Sequence, residues 1–447
     1  MSSTLKHALS AALVLLLLVL AVMPRIVSSN VEASTAANLS TLFPPEARRQ
    51  IQITQASYER GWFKSELRYD IRFTPLGSSD PLVIELHFDY SHGPLLFTAE
   101  GLRLGLAYAD IQPRFADPQL TQTLLDMPFP LPELSMSMLL GLDESLTVNM
   151  DFAPTAISDN GARVSFDGLQ ARLEVAPDLS ASFRMDMGRL DAMQAGSGMG
   201  FSIGALSLSS TTEQINNLMA NSDALLEIAE LGSPGPLAFH SKALAANSSI
   251  RNNGTTAIDV SQQFTVNEID SELPLQSFTW DMELNKLQTS VIAQYYDLIF
   301  EMQEQLTGAT DSGTGDSDLL GEMLDELGLV VLQNRRVVNN YFTANAYGGD
   351  HSLGIQLSWL GLPQVGSYEE LSMAALLDAL NLQIDLSLDQ EAILQSPAAA
   401  MVDPYLQQGY ITVNNSRIGM DISLSDRQLV LNGAITPLEQ IFPTVSQ

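Results

Sequence analysis

Cysteine is absent from all 447 residues, which excludes disulfide staples and thiolate metal sites whatever the redox state of the compartment. A chain of this length can bury a large core without them. Basic residues are scarce: 21 Lys and Arg stand against 52 Asp and Glu, a formal net charge of −31. Such a surface repels phosphate backbones and anionic headgroups, so nucleic acid is excluded as a partner. The acidic excess reads as a solubility device, with direct cation binding as the sharper alternative. Long apolar runs are missing too, with one exception.

That exception decides export. Lys6 and His7 precede a run from Ala8 to Val22 that contains Leu15-Leu16-Leu17-Leu18 and no charge. A signal-peptide core is typically ~7–15 residues and a spanning helix needs roughly 20, so this run lies between the two. No small-x-small cleavage site directly follows Val22, and Lys6 agrees with a cytoplasmic start. We expect an uncleaved signal-anchor over residues 1–27, with a cleaved signal peptide as the alternative; the bulk is exported either way. Residues 28–50, rich in Ser, Thr, Ala and Pro, read as a linker.

The stretch from Gln55 to Pro94 is the most distinctive in the chain. It opens with Tyr58-Glu59-Arg60-Gly61-Trp62-Phe63 and closes on Ser91-His92-Gly93-Pro94. Arg60-Gly61 breaks the chain direction, and a turn there with positive φ would require glycine. Trp62 and Phe63 are expected to bury apolar area beside it. Leu67, Tyr69, Ile71 and Phe73 then alternate with Glu66, Arg68, Asp70 and Arg72, giving a strand with one wet face. Thr74 to Pro81 has turn composition, and Val83 to Tyr90 supplies the second strand of a predicted hairpin.

With Tyr-x-Arg-Gly-Trp-Phe-x-Ser over Tyr58 to Ser65 and His92-Gly93-Pro94 at its end, this hairpin resembles the YdgA-like family of bacterial envelope proteins. The resemblance is concentrated in Gln55 to Phe97; the remainder fits in length and in its mixture of β-rich and helical stretches. It implies a single-pass inner-membrane segment followed by a long periplasmic region. It implies no reaction.

Period two recurs downstream. Glu100 to Ile111 reads as a strand, and Leu120 to Met138 as Pro-broken and irregular. Leu146, Val148, Met150 and Phe152 share a face, as do Phe183, Met185 and Met187. Between them, Gly168 shifts the phase, which a bulge would explain. Thr211 to Gly232 changes period, with Ile215, Leu218, Met219, Leu225, Leu226 and Ile228 at helical spacing. Val291 to Leu306 and Leu319 to Leu332 also read as helices. A further helix, Tyr368 to Leu380, would start at a Ser367 cap with Glu370 three residues on. Alternation returns at Leu382, Ile384, Leu386 and Leu388 and continues to Leu431.

The expected fold is therefore α+β and β-dominated: long curved antiparallel meander sheets, a few amphipathic helices on one face, and an N-terminal hydrophobic helix. Its parts are the anchor at 1–27, the linker at 28–50, a first β-rich block at 51–210, a helical connector at 211–240, and a second β-rich block with helices at 241–447.

Candidate chemistry is thin. Gly200-Phe201-Ser202-Ile203-Gly204 matches a nucleophile elbow, which needs a tight strand-to-helix turn to expose the serine. Here Ala205-Leu206-Ser207-Leu208-Ser209 continues as strand, and neither His240 nor His351 sits in a recognisable triad pattern. His87, Asp89 and His92 have metal-ligand residue types, but alternation puts only the first two on one strand face. Asp311 to Asp318 lacks calcium-hand spacing and reads as a flexible loop. Tyr295, Tyr296 and Phe300 form a helical aromatic edge suited to packing on a sheet. No catalytic, cofactor-binding or metal residue is therefore assigned, and no cofactor. The expected function is a membrane-tethered periplasmic protein that binds a protein partner or an apolar lipid ligand in envelope maintenance. Its partners would be the inner membrane through the N-terminal helix and a lipid, an envelope protein or a second copy. An exported serine hydrolase using Ser202 is the competing reading.

Overall fold

Alternating sequence becomes antiparallel sheet through most of the chain. The computed structural model describes residues 23–25, 27–28, 43–45, 48, 51–73, 82–98, 101–117, 132–159, 162–194, 199–233, 238–254, 256–271, 274–308, 325 and 328–437. Among them no helix is long and apolar enough to cross a membrane; the expected hydrophobic helix from Ala8 to Val22 and the loop from Asp311 to Asp318 lie outside the described residues. Two compact units divide the chain. Unit 1 is Met1–Asn160, Ser165–Gly188 and Ser209–Ala220, and unit 2 is Gly161–Val164, Arg189–Leu208 and Asn221–Gln447.

The first strands are β1 (Ile51–Glu59), β2 (Lys64–Phe73), β3 (Leu82–His92), β4 (Leu95–Thr98), β5 (Gly101–Leu104), β6 (Ala107–Phe115), β7 (Leu134–Leu140) and β8 (Leu146–Phe152). Next come β9 (Thr155–Asp159), β10 (Ala162–Phe166), β11 (Leu169–Val175) and β12 (Ala181–Met187). In unit 1, hydrogen-bonded neighbours run β1–β2–β3–β6–β7–β8–β11–β12, all antiparallel. The short β4–β5 hairpin pairs apart from this ladder. Leu67 and Tyr69 of β2, Phe88 and Tyr90 of β3, and Ala109 and Ile111 of β6 form the core of the unit. Each large side chain among them contributes about 1.5–3 kcal/mol through burial.

The chain continues through β13 (Leu190–Gln194), β14 (Gly200–Ile203), β15 (Leu206–Thr212), β16 (Ser222–Ser233), β17 (Phe239–Asn252), β18 (Ala257–Ser271), β19 (Leu275–Gln288) and helix α1 (Thr289–Gly308). After α1 come β20 (Arg336–Ala346), β21 (Gly349–Trp359), helix α2 (Met373–Ala379), β22 (Leu380–Asp389), α3 (Gln390–Leu394) and α4 (Ala399–Gln407). The last strands are β23 (Thr412–Asn414), β24 (Arg417–Ser425), β25 (Gln428–Leu431) and β26 (Ala434–Thr436). Within unit 2 the antiparallel order is β13–β14–β16–β17–β18–β19–β20–β21–β22–β24–β25–β26.

Several expectations are overturned. The helix expected within Thr211 to Gly232, and with it the helical connector at 211–240, is replaced by turns and strand β16. The Leu225-Leu226 pair mimics helical spacing, yet Ala224, Leu226 and Ile228 face Ser248, Ala246 and Leu244 across the ladder. Pairing outweighs a weak periodic signal. The helix at Tyr368 is shorter than expected. Ser367 makes no cap bond, Tyr368–Glu370 is a 3₁₀ turn, and Leu371 is extended. The Ala375 N–H instead donates to Ser372 Oγ at 3.1 Å, while Glu370 accepts from the Gly366 N–H. Of the stretch from Leu120 to Met138 expected to be irregular, residues 120–131 lie outside the described residues, and Leu134 to Met138 belong to β7 because β6 and β8 flank it. Gly168 is no bulge: at φ +97° it joins β10 to β11, where a Cβ would meet the Phe152 carbonyl oxygen at 3.0 Å.

Two corrections concern the opening motif. Trp62 and Phe63 are 50% and 58% exposed rather than buried. Gly61 does not have a positive φ; a Cβ there would sit 2.0 Å from the Lys64 carbonyl oxygen. The glycine is required by close backbone approach, not by a left-handed conformation. Gly61→Ala should therefore destabilise unit 1 by about 1–3 kcal/mol, the usual cost of overpacking, and Gly61→Val by more. Thermal denaturation checks this, and an unchanged midpoint for Gly61→Val contradicts the close approach.

Candidate functional site

The two ends of the opening motif meet. Register pairs Lys64 with Ser91 and Ser65 with Tyr90, which brings the start of β2 to the end of β3. The His92 N–H donates to the Phe63 carbonyl at 2.8 Å, and the Gly93 N–H to that of Leu106 at 2.7 Å. Gly93 has no room for a side chain, since a Cβ would lie 1.7 Å from the Gly105 carbonyl oxygen. On β3, Phe88, Tyr90 and His92 share the buried face, their rings stacked in file at 5.7 and 6.4 Å.

At the head of that file, His92 Nε2 lies 2.8 Å from Ser65 Oγ, both side chains buried. The Gly61 N–H also donates to Ser65 Oγ, at 3.2 Å. Tyr58 OH donates to the Ser28 carbonyl oxygen at 2.7 Å, and Ser28 Oγ to that of Gly61 at 3.0 Å. The junction thus ties residue 28 to both hairpin strands. A serine–histidine bond is one element of nucleophile activation. Here the hydroxyl is enclosed, and among the described residues His92 Nδ1 has neither a hydrogen-bond partner nor an orienting acid. Burial, aided by the Arg60 charge, pushes His92 from 6.5 down to about 4. A neutral imidazole is therefore built into the folded state.

His87, Asp89 and His92 do not converge. His87 and Asp89 take the other face of β3, where His87 Nε2 lies 3.5 Å from Glu85. Among the described residues no group of three potential ligands could hold a metal ion.

Ser202 lies inside β14, opposite Asp191 on one side and Gly232 on the other, and not at a strand-to-helix turn. Its Oγ accepts from Arg189 Nη2 at 3.1 Å, and Arg189 also pairs with Asp191 at 2.7 Å. Glu230 holds His240 Nε2 at 2.8 Å. His240 sits across Gly232 from Ser202, so two interstrand spacings, about 10 Å, separate the two backbones. The guanidinium next to Ser202 is a donor and cannot act as its base. His351 Nε2 is bonded to the Ala346 carbonyl at 3.0 Å, within a β-turn hairpin.

An extended apolar surface, which no single stretch of sequence displays, crosses unit 2. Register places Leu226, Ala246, Phe264, Trp280, Phe342, Leu353, Leu386 and Met420 side by side across eight strands. A second row, from Ile250 through Val260, Leu284, Val338, Leu357 and Leu382 to Leu424, runs parallel to it. All eight members of the first row are half-buried. From the first row, Trp280 Nε1 donates to Asn340 Oδ1 at 3.0 Å, which satisfies the indole N–H. The opposite face carries the charge, including Asp281, Glu283, Asp385 and Asp421. Asp385 and Asp421 are direct cross-strand neighbours; the hydrogen bond they share raises Asp421 above the usual carboxylate range.

An antiparallel β protein with a buried polar junction in one unit and a broad apolar sheet face in the other is thus defined. The chain belongs to DUF945, a bacterial protein family of unknown function, whose model matches residues 5–439. No curated protein and no solved structure matches it.

The depressed His92 sets an acid limb of stability. Below its unfolded value of 6.5 the unfolded chain takes up a proton that the folded chain refuses until about pH 4. Stability is full above pH 6.5 and falls by roughly 2–3 kcal/mol as pH drops toward 4. Denaturant unfolding across that window should show the slope, and His92→Gln should flatten it. Asp421→Asn should act oppositely at neutral pH. Its raised value favours the protonated form and disfavours the ionised pair, so the amide should add a few tenths of a kcal/mol at pH 7, solvent screening the exposed pair, and nothing in acid. Equal unfolding midpoints for Asp421→Asn and the parent at pH 7 would count against that reading.

Proposed function

We propose that this protein is a membrane-tethered periplasmic protein, of the YdgA-like kind, that binds an acyl chain and does not catalyse a reaction. The observation that carries the proposal is the apolar row from Leu226 to Met420. Eight strands span about 34 Å, far more contiguous apolar surface than solitary exposed side chains provide, and such patches serve binding. The surface favours alkyl chains over a polar ligand because its two rows are apolar and the indole N–H of Trp280 is already bound to Asn340 Oδ1. The carboxylates lie on the reverse face, so a lipid enters tail first. Tethering rests on the charge-free run from Ala8 to Val22, and the periplasmic placement on the family resemblance. Such a protein would serve envelope maintenance by holding lipid away from water.

Lipid extraction tests this reading. Full-length protein purified in amphipol should release an acyl lipid detectable by mass spectrometry. Ile384→Asp puts a carboxylate between the two apolar rows, where register sets it against Ile355 and Ile422. It should cut the recovered lipid at least ~10-fold, equivalent to about 1.4 kcal/mol, with circular dichroism unchanged. Equal lipid from the parent and Ile384→Asp would overturn acyl binding at this face, and co-purification of a second copy in its place would assign the surface to a homodimer.

A further inference from the structure

The β4–β5 hairpin is built inside out. Register pairs Leu95 with Leu104 and Phe97 with Leu102, so these four share one face. That face is the outer one: Phe97, Leu102 and Leu104 are 79%, 59% and 65% exposed. The other face holds Leu96, which is fully buried, and Arg103, which is exposed. Ordinary hairpins on a soluble surface show the reverse pattern. Phe63 and Phe97, together with Pro24, line a cleft of about 410 Å³, so the exposed Trp62–Phe63 pair and the hairpin form one patch. Arg25 lies over the Trp62 ring at 5.8 Å.

Here we infer that this patch seats in the headgroup–acyl boundary of the membrane, beside the point where the N-terminal segment leaves it. The inference rests on the tethered reading above and adds a second point of membrane contact. Pro24 and Ser28 are buried against the hairpin base, which fixes where the chain enters unit 1. The apolar run ends at Val22, two residues before Pro24, so no more than about 7 Å of chain separates them. A bilayer holding that run therefore lies within reach of Trp62, Phe63 and Phe97. Trp62 is of the kind that concentrates at membrane interfaces, where its apolar body and its indole N–H are both accommodated, and Phe63 and Phe97 add apolar area able to enter the acyl boundary. Charge agrees: Arg25, Arg60 and Lys64 accompany only Glu59 and Glu66 in the segments around Trp62, whereas acids outnumber bases 52 to 21 in the whole chain. The patch is thus free of the acidic excess that would repel anionic headgroups.

The absence of native cysteine makes site-specific labelling direct. Full-length Leu20→Cys, Phe97→Cys, Leu102→Cys and Phe115→Cys proteins would each carry one environment-sensitive fluorophore and be reconstituted in phosphatidylcholine vesicles. Nitroxide on the lipid, placed near the headgroup, is the quencher. Phe115 is the control, because β6 carries it about 27 Å along the strand from Ala107 at the hairpin end. Labels at 20, 97 and 102 should lose fluorescence to the lipid quencher while the label at 115 does not. If only the label at 20 is quenched, the tether stands and the hairpin contact is refuted. If none is quenched, the tethered reading itself fails and the contact with it. Labels at 97 and 102 shielded from both lipid and aqueous quenchers would show a protein surface covering the patch, which also refutes membrane seating.

Discussion

A hydrogen bond of 2.8 Å between His92 Nε2 and Ser65 Oγ closes the junction at which Tyr58 and Gly61 hold Ser28 to unit 1. Around it the backbone leaves no spare volume, since the carbonyl oxygens of Lys64 and Gly105 occupy the places where side chains at Gly61 and Gly93 would be. Either charge state of the imidazole could make this bond, and burial beside Phe88 and Tyr90 favours the neutral one. Desolvation, stacking and the two glycines therefore support one another. Removal of any one would loosen the connection between the segment at residue 28 and the hairpin.

In unit 2 the governing constraint is register. Side chains alternate strictly on a strand, so a one-residue slip in any pairing would exchange apolar and charged faces. Eight strands keep Leu226 to Met420 in one row because every connecting ladder holds the same parity, with bulges such as that between Ile258 and Val260 absorbed within a strand pair. The reverse face is tied by polar ladders, including Asn247 to Gln263 at 3.3 Å and Gln263 to Asp281 at 2.6 Å. These exposed contacts each contribute little to stability, and their larger effect is on which face remains wet.

The large acidic excess is distributed rather than focused. Near Ser202, whose hydroxyl touches Arg189, the charges of Arg189, Asp191, Glu230 and His240 pair with one another in a chain. Unit 1 shows a different asymmetry, with its outward hairpin face apolar and its histidine enclosed. Apolar surface is therefore left accessible in both units, on the hairpin of one and on the sheet face of the other.

What the sequence determined by itself was local. Alternation at Leu67 to Phe73 and at Leu382 to Leu388 marked strands and their buried side, because a side chain's facing follows from period two alone. The Gln55 to Phe97 resemblance drew together Ser65 and His92, although nothing in their spacing showed that they touch. Tertiary structure decided the rest. Leu225-Leu226 became strand because β17 offered partners. Ser372 displaced Ser367 as a cap because Leu371 interrupts the turn. Trp62, Phe63 and Phe97 are apolar residues whose composition points inward, yet they face outward. The apolar row joins residues from Leu226 to Met420, and no window of sequence contains it. Pairing partners across tens or hundreds of residues are selected by the whole fold, since one strand's pattern is compatible with many neighbours and only the assembled register chooses among them.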